Sequence, residues 1–385
     1  MLADLEELVR CESFSADHAA VARSAEVVGA LGTRLLGARP ETVVIDGVTH
    51  LRWTFGTPRV LLIGHHDTVW PTGSIESHPW SVTDGIARGP GVLDMKAGLV
   101  QMFHALASLP SLDGVGVLVN GDEEVGSATS RQLIEESVRG CAAALVLEPS
   151  ADDEGALKTA RKGTSRYEVV VHGRAAHAGL EPQKGINAAV EAAHQVLSIA
   201  GLGAAMGGVG RTGPVPGDGT DSVLGSATVT PTLLSAGSAR NTVPALARVS
   251  VDVRVPTQVA QDRVDALIRE LTPRTPGARL EVLGGSQRPP MEPGSSAGLF
   301  ALAFQLAAEL GEAPLRGIAV GGASDGNYTA AAGCPTLDGL GAVGAGAHAS
   351  TEYVKVVRMV PRTRLLAQLI MRTRRGPDRD RRDSV

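Results

Sequence analysis

Short apolar runs that end in acidic or histidine side chains constrain the fold of this chain more than any other feature. Residues 60–63, 115–119 and 142–147 form three such runs, with the length and composition of buried strands. Helical patterns lie between them, and strands that alternate with helices predict an α/β fold with a mostly parallel sheet. In open sheets of this kind, ligands bind at the carboxyl ends of the strands. The side chains that follow these runs are therefore the candidate functional residues.

His65 and Asp67 directly follow the first run. Two positions apart in extended chain, they point to the same side. An imidazole that binds a cation needs a partner for its other ring N–H, and a carboxylate supplies it. A core histidine beside a turn-forming aspartate is the alternative.

Acidic residues follow the other two runs. Glu123 and Glu124, preceded by another acid, come after the second run, and Glu148 comes after the third. Consecutive acids repel one another unless a positive group lies among them, although a solvated loop is the ordinary alternative. Asp94 lies where a loop meets a helical pattern, a position that a simple N-cap also explains. Because all these groups lie at or near strand ends, the sequence favours a metal site.

Composition limits the classes of function. The chain has 385 residues, 43% hydrophobic and 20% charged, which predicts a globular protein of two or three domains. A formal net charge of -5 gives no electrostatic reason to expect nucleic acid or an anionic membrane as a partner. The cysteines are sparse and odd in number, no apolar run reaches the length of a membrane span, and the first residues lack the pattern of a signal peptide. A cytoplasmic location is therefore expected.

The chain divides into three parts. Residues 1–162 are expected to form the first part of an α/β domain, with helical periodicity over residues 2–36, two strands within 41–55 and a polar loop over 71–91. Residues 163–288 show the order βαββαβ, which is that of a ferredoxin-like domain, so they predict an insertion.

The α/β pattern resumes over residues 289–373 and completes the α/β domain; the domain that these two parts form is the candidate for any catalysis at the metal site. Residues 374–385 are expected to be a disordered tail and the Gly- and Pro-rich residues 201–220 a mobile loop. Residues 339–344 match the dinucleotide motif G-x-G-x-x-G. We reject a cofactor loop there, because no βαβ unit follows.

Eight short motifs occur in an order that covers nearly the whole chain. They are His65-His66-Asp67-Thr68-Val69, Gly91-Val92-Leu93-Asp94-Met95-Lys96, Asp122-Glu123-Glu124-Val125-Gly126-Ser127, Leu147-Glu148-Pro149, Ala176-His177-Ala178-Gly179, Arg240-Asn241-Thr242-Val243-Pro244, Asp252-Val253-Arg254 and Gly344-Ala345-Gly346-Ala347-His348. By these motifs the chain resembles the M20 family of metallopeptidases and deacylases, and within it the glutamate carboxypeptidase branch.

The resemblance implies a zinc-exopeptidase-like three-layer catalytic domain and an inserted ferredoxin-like lid and dimerisation domain. It also implies two Zn²⁺ ions per chain, although the ligand types tolerate Co²⁺ or Mn²⁺. By position, His65 and Glu148 would bind one ion, Glu124 and His348 would bind the other, and Asp94 would bridge the two.

The resemblance assigns further roles. Glu123 would be the general base and Asp67 the carboxylate that supports His65. His177 would donate to the developing oxyanion, usually across a dimer. An ordinary surface histidine is the alternative, and Ala176 stands where the family often has serine.

The resemblance assigns substrate contacts to the inserted domain and to a glycine-rich turn that follows it in the sequence. Arg254 and Asn241 would contact the substrate, because a guanidinium suits a free α-carboxylate. A surface salt bridge is the alternative for Arg254. The turn that contains Gly322 and Ser324 would add backbone donors, with Ser324 where the family commonly has threonine.

These features predict a hydrolase that cleaves an amide bond next to a free carboxylate. Short peptides or N-acyl amino acids are the expected substrates, glutamate is a candidate leaving residue, and a homodimer through the inserted domain is expected. A deacylase of the acetylornithine or succinyl-diaminopimelate type is the alternative. An inactive homologue used for binding is a remote alternative, since the five ligand positions and Glu123 are intact.

Overall fold

The computed structural model describes residues 1–206 and 223–375. The described chain forms two compact units. The first contains Met1–Ala160, Pro293–Val320 and the described residues from Ser324 onward; the second contains the described part of Arg161–Glu292 together with Gly321–Ala323. Sequence analysis predicts the boundaries after residues 162 and 288, a few positions from these divisions. Most of the glycine-rich segment 201–220 and of the tail 374–385 lies outside the described residues.

The regular elements alternate along the chain. The helices are α1 (Leu2–Arg10), α2 (His18–Leu36), α3 (Ser74–Ser77), α4 (Ala97–Ala107), α5 (Arg131–Ser137), α6 (Ala188–Ala205), α7 (Gln258–Arg269), α8 (Ala297–Glu309), α9 (Gly326–Ala331) and α10 (Val356–Arg375). The strands are β1 (Glu41–Ile45), β2 (Val48–Phe55), β3 (Val60–His65), β4 (Ser81–Thr83), β5 (Ile86–Arg88), β6 (Val115–Asn120), β7 (Ala143–Val146), β8 (Leu157–Arg161), β9 (Gly163–His172), β10 (Ala176–His177), β11 (Thr228–Ala236), β12 (Thr242–Val243), β13 (Leu246–Val255), β14 (Arg279–Arg288), β15 (Gly317–Val320), β16 (Thr336–Leu337), β17 (Gly344–Ala345) and β18 (Tyr353–Lys355).

The main sheet of the first unit has the strand order β1-β2-β6-β3-β7-β16. β3 pairs in parallel with β6 and β7, and β16 with β7, whereas β1 and β2 add an antiparallel edge. Successive strand residues enter different cores: Leu62 belongs to the core that contains residues of α2, α4 and α10, and Leu61 to the core that contains residues of α5 and α9. Helices thus cover both faces, which confirms the predicted three-layer α/β architecture.

Two expectations for the N-terminal part need correction. The helical periodicity over residues 2–36 belongs to two helices, because the Asp17 side chain accepts the Ala20 backbone N–H at 3.0 Å and starts α2 as a new helix. The predicted polar loop over residues 71–91 contains α3, β4 and β5. Its strands join a small sheet of order β17-β18-β5-β4.

The second unit contains a four-stranded antiparallel sheet of order β11-β13-β9-β14. α6 and α7 pack through Ile199 and Val264 against strand residues such as Val169 and Val251. This is the strand order of a ferredoxin-like unit, as the βαββαβ pattern predicts. α6 continues to Ala205, so the start of the predicted mobile loop is helical.

The glycine-rich segment 339–344 serves close packing. A Cβ on Gly341 would lie 2.1 Å from the Leu147 carbonyl oxygen and 2.8 Å from that of Glu148. The Gly341 N–H donates to the Glu148 carbonyl at 2.8 Å, and the buried Arg362 guanidinium donates to the Gly339 and Gly341 carbonyls. The glycines therefore let this segment cross close to the end of β7, next to Glu148.

No helix in the two described stretches has both the length and the apolar character needed to cross a membrane.

Candidate metal centre

Five side chains of the first unit converge at the carboxyl ends of its central strands. Each is placed by a different local structure. His65 ends β3, Glu148 follows β7, Glu124 lies in a short turn after β6, Asp94 lies in an irregular turn before α4, and His348 lies between β17 and β18.

The first group of contacts surrounds His65. Its Nε2 lies 3.2 Å from Asp94 Oδ1 and 3.5 Å from Glu148 Oε1. The His65 side chain is only 1% exposed. Two carboxylate oxygens thus lie within 3.5 Å of the same imidazole nitrogen, and all three atoms are of types that bind zinc.

The second group surrounds His348. Its Nε2 lies 3.1 Å from Glu124 Oε2 and 3.4 Å from Asp94 Oδ2. Asp94 therefore directs one carboxylate oxygen to each histidine. The His348 side chain is 50% exposed, so the centre is open to solvent on that side.

Opposite charges shift the pKa values of these groups. Burial lowers the pKa of the His65 imidazole, but hydrogen bonds to three carboxylates raise it well above its ordinary value. Hydrogen bonds to Asp94 and Glu124 raise the pKa of His348 to about 10. Burial raises the pKa of Glu124 to about 7, whereas both imidazoles hold the pKa of Asp94 far below its usual range despite burial. The carboxylates thus favour positive charge at the two points that metal ions would occupy.

The residues present fit a metal pair. Glu124 Oε1 is buried and has no hydrogen-bond partner among the described residues. A buried carboxylate oxygen of this kind needs a cation or a donor. Ligand atoms of His65, Asp94 and Glu124, and also those of His65, Glu123 and Glu148, lie within 4.8 Å of one another.

Asp67 holds both halves of the centre. Its carbonyl oxygen lies 2.9 Å from His65 Nδ1, and its carboxylate Oδ1 lies 3.5 Å from the same atom. The carboxylate also accepts the backbone N–H groups of Glu123 at 3.1 Å and Glu124 at 3.2 Å, and the Ser15 hydroxyl at 2.7 Å. It therefore fixes one imidazole and the backbone of both glutamates.

The acid that precedes these glutamates has a separate task. The Asp122 carboxylate accepts the Thr129 backbone N–H at 2.7 Å and the Ser130 hydroxyl at 2.6 Å. His50 Nδ1 accepts the Gly121 N–H at 3.2 Å. These contacts stabilise the turn after β6, and they explain how three consecutive acids coexist.

His66 points away from the centre, as the alternation of strand side chains predicts. Its Nε2 lies 3.1 Å from the Thr49 carbonyl oxygen, and the residue is fully buried. Burial lowers its pKa to about 4. His66 is therefore a neutral core residue.

Sequence reasoning missed two residues at this centre. Lys158 Nζ lies 3.5 Å from Glu148 Oε2, and the Glu352 carboxylate accepts the Asp94 backbone N–H at 3.0 Å. Glu352 stands four residues after His348, and this spacing is the only local signal for it. Lys158 has no comparable motif.

The second unit contains four of the residues expected to contact the substrate. The exposed His177 accepts the Gly179 and Leu180 N–H groups on Nδ1 at 3.2 and 3.1 Å, so Nε2 carries the proton of the neutral ring. Asn241 is also exposed, and its carbonyl accepts the Ala178 N–H at 2.9 Å. Within this unit β10 pairs with β12, which brings His177 opposite Thr242.

Arg254 and Gly322 already have partners in the second unit. Arg254 donates from Nε and Nη2 to the Asp252 carboxylate at 2.9 and 3.1 Å, which is the surface ion pair given as its alternative. The Gly322 carbonyl accepts from Arg161 Nη1 at 3.0 Å. Their contact with a substrate stays a prediction.

Ser324 does not suit the role expected for it. Its residue is fully buried, its hydroxyl donates to Asp338 Oδ2 at 2.6 Å, and its backbone N–H donates to Asn327 Oδ1 at 2.9 Å. Both donors are occupied within the first unit, so this geometry leaves none for a substrate carboxylate.

Comparisons with known proteins agree with this centre. The sequence model of peptidase family M20/M25/M40 matches residues 61–372. Carboxypeptidase G2 from Pseudomonas sp. (strain RS-16) is 29% identical over 384 residues, which cover 95% of this chain and 88% of that protein. Succinyl-diaminopimelate desuccinylase from Wolinella succinogenes is 25% identical over 319 residues, which cover 80% of this chain and 83% of the relative.

A solved structure shows the same fold. The M20 family metallo-carboxypeptidase Sso-CP2 from Sulfolobus solfataricus has a TM-score of 0.75 and 17% identity, and the alignment covers 97% of this chain and 99% of that one. The family match spans most of the chain and includes all five candidate ligands. The chain therefore belongs to peptidase family M20/M25/M40, and it is a metallo-hydrolase that acts on peptide or amide bonds.

Proposed function

We propose that this protein is a two-metal hydrolase of the carboxypeptidase type, which cleaves an amide bond next to a free carboxylate. One observation carries the proposal: Asp94 directs one oxygen towards His65 and the other towards His348. A carboxylate in that position can bridge two cations. The likeness to carboxypeptidase G2 over 95% of the chain supports the carboxypeptidase type.

Each ligand has a place in this centre. His65, Glu148 and Asp94 would hold one ion, and Glu124, His348 and Asp94 the other. Zn²⁺ fits these ligands, and Co²⁺ or Mn²⁺ fits them too. When bound, the ions would supply Lewis acidity and lower the pKa of nearby water.

The residues around the metals would manage protons and orientation. Glu123 is 8% exposed, and its backbone is fixed by Asp67, so its carboxylate has a defined place beside His65 and Glu148. It would take a proton from the attacking water and pass that proton to the leaving amine. Asp67 would keep the His65 ring oriented.

The inserted unit would bind the substrate. The His177 tautomer leaves an N–H on Nε2, which is the donor that an oxyanion needs. Arg254 would exchange its pair with Asp252 for the substrate carboxylate, and Asn241 would donate from its exposed amide. Glutamate is a candidate leaving residue.

A deacylase of the acetylornithine or succinyl-diaminopimelate type is the second candidate, because a desuccinylase is among the relatives. A panel of N-acyl-glutamates, dipeptides, N-acetylornithine and N-succinyl-diaminopimelate separates the two. We expect turnover of the N-acyl-glutamate or of dipeptides. Turnover of an acylated basic amino acid alone would overturn the carboxypeptidase type.

An inactive binding homologue is the remaining alternative. It would bind fewer than one metal per chain or show no turnover of any amide in the panel. The intact ligand set and the proximity of Glu123 to His65 and Glu148 argue against it.

We also propose that the protein is a homodimer through its inserted unit. β11 is an edge strand of that unit and exposes 70% of Leu233 and 56% of Leu234, and α6 exposes 69% of Leu197. An apolar edge strand of this kind favours pairing with a second chain.

The three free cysteines of the protein favour the reducing environment of the cytoplasm as the location of the protein.

A further inference from the structure

The Glu352 carboxylate accepts four hydrogen bonds next to the candidate metal centre. The residue is 2% exposed. Oε1 accepts the backbone N–H groups of Leu93 at 2.8 Å and Asp94 at 3.0 Å. Oε2 accepts the Trp70 indole N–H at 2.7 Å and the Gly91 backbone N–H at 3.1 Å. Each oxygen therefore serves two donors.

The irregular backbone around Asp94 explains why these acceptors are needed. Asp94 has φ -112° and ψ 95°, and Met95 has φ -131° and ψ 34°, so the turn Val92–Lys96 is not a regular helix. Its N–H groups lack the ordinary series of helical carbonyl acceptors. A buried N–H without an acceptor is costly. Glu352 supplies the missing acceptors and so fixes the backbone that carries the Asp94 side chain.

Glu352 also belongs to the loop that carries His348. The loop is closed by the Ala349 N–H on the Gly346 carbonyl and by the Glu352 N–H on the Ala349 carbonyl, both at 2.9 Å. His348 has a φ of 64°, which is uncommon for a residue other than glycine and depends on its surroundings. One side chain thus connects the His348 loop to the Asp94 turn.

We infer that Glu352 is a positioning residue that sets the spacing between Asp94 and His348. These are two of the three ligands expected for the second metal ion, and the inference rests on the proposed two-metal centre. Glu352 acts through backbone N–H groups of the Asp94 turn and through its own loop. The first ion depends less on it, because Asp67 holds His65 independently.

Glu352→Gln tests this role with little change in shape. A glutamine keeps one acceptor oxygen and turns an NH₂ group towards two N–H donors, so two of the four hydrogen bonds are lost. Metal-free full-length protein is titrated with Co²⁺ by calorimetry and visible absorption. We expect the second equivalent to bind about 10–100-fold more weakly than in wild type, and the first, which also uses Asp94, to weaken by a smaller factor.

Glu191→Gln is the matched control. Glu191 is equally buried and accepts the backbone N–H groups of Arg274 and Thr275, but it lies outside the metal centre. It should leave both Co²⁺ affinities unchanged. An equal loss in this control, or wild-type affinities for both equivalents in Glu352→Gln, would overturn the inference.

Two further results of the Co²⁺ titration also test the inference. If Glu352→Gln does not fold, Glu352→Asp replaces it, since this variant keeps both carboxylate oxygens on a shorter side chain. It should bind the second equivalent of Co²⁺ more weakly than wild type. An unchanged affinity for the second equivalent would overturn the inference. If wild type binds only one equivalent, the two-metal centre fails by itself. Glu352→Gln must then weaken that single ion, since Asp94 belongs to both ligand sets, and an unchanged affinity would overturn the role of Glu352 too.

Discussion

Two adjacent glutamates have different surroundings in this centre. Asp67 accepts the backbone N–H of Glu123 on one oxygen and that of Glu124 on the other. The Glu124 side chain meets His348, whereas the Glu123 carboxylate groups with His65 and Glu148. One shared anchor therefore holds the backbone of the proposed metal ligand and of the proposed general base at neighbouring positions.

Glu123→Gln should remove catalysis and leave the metals in place. The amide cannot accept the proton of the attacking water, so we expect turnover to fall by about 10²–10⁴-fold. Metal content is measured by plasma mass spectrometry and turnover on the same preparation. Glu136→Gln, an exposed change on α5, is the control and should behave as wild type. Near-normal turnover in Glu123→Gln would eliminate Glu123 as the base.

Single residues of the candidate metal centre are predictable from the sequence only where they belong to a recognisable motif. His65, Asp94, Glu124, Glu148 and His348 follow apolar runs or stand in recognisable motifs, and the structure brings them together. Glu352 contacts Asp94 across 258 positions, and only its spacing from His348 hints at it. Ser324 is the opposite case, a residue that the sequence predicts as a substrate contact and the structure does not support. The sequence cannot reveal that its hydroxyl and its backbone N–H already donate to Asp338 and Asn327.

At the level of elements, the segment before β17 depends on glycine for its close approach to β7. Gly341→Ala would place a Cβ 2.1 Å from the Leu147 carbonyl oxygen. Backbone cannot move aside easily, so we expect a loss of about 2–3 kcal/mol in the free energy of unfolding, measured by urea denaturation of the metal-free protein.

Gly298→Ala is the control for this substitution. Gly298 lies in α8, is exposed and has no heavy atom within 4 Å of an added Cβ. Alanine there should be neutral or stabilise by up to about 1 kcal/mol. Equal stabilities of the two variants would contradict the packing role of Gly341.

Asp4 of α1 connects that helix to its neighbours. Its carboxylate accepts from His104 of α4 at 2.6 Å and from Arg34 of α2 at 2.8 Å. Burial raises the pKa of Asp4, but these hydrogen bonds lower it overall to about 2. A pKa below the unfolded value means that the unfolded state binds more protons between about pH 2 and 4, so stability rises with pH across that window.

Asp4→Asn should therefore reduce the free energy of unfolding by about 2 kcal/mol at pH 7. The difference from wild type should shrink as the pH falls from 4 towards 2. Urea denaturation at several pH values measures it. Glu6→Gln removes an exposed pair with Arg10 on the same helix and should cost less than about 0.5 kcal/mol. A difference for Asp4→Asn that does not change with pH would contradict the assigned pKa.

Helices and strands are predictable from the sequence where their hydrophobic periodicity is strong. The prediction is wrong where a capping side chain sets the start of a helix. Strands β3, β6 and β7 lie within two residues of the apolar runs that predict them. The apparent helix over residues 2–36 is two helices, because α1 ends at Arg10 and the Asp17 side chain caps the start of α2. The strands β4 and β5 are three residues each, too short for a pattern in a segment rich in glycine and proline.

On the scale of the whole molecule, the candidate metal ligands and the proposed dimer surface belong to different units. All five candidate metal ligands belong to the first unit. The exposed leucines of β11 and α6 belong to the second. The order of the predicted strands and helices along the sequence indicates this division, since a βαββαβ unit interrupts an α/β pattern.

Leu233→Glu should convert the proposed dimer into monomers, because a charge on the edge strand opposes pairing. Sedimentation velocity at micromolar concentration measures the mass. Leu283→Glu on β14, at the other edge of the same sheet and 42% exposed, is the matched control and should stay dimeric. A monomeric wild type, or equal dissociation of both variants, would contradict the proposed interface.

The central claim is that Asp94 is shared by two metal ions. Anomalous diffraction at the zinc edge, from crystals of the zinc-loaded protein, tests it most directly. We expect two peaks roughly 3.5–4 Å apart, one beside His65 and Glu148, the other beside Glu124 and His348, and both in contact with Asp94. A single peak, or two peaks that do not share Asp94, would contradict the account.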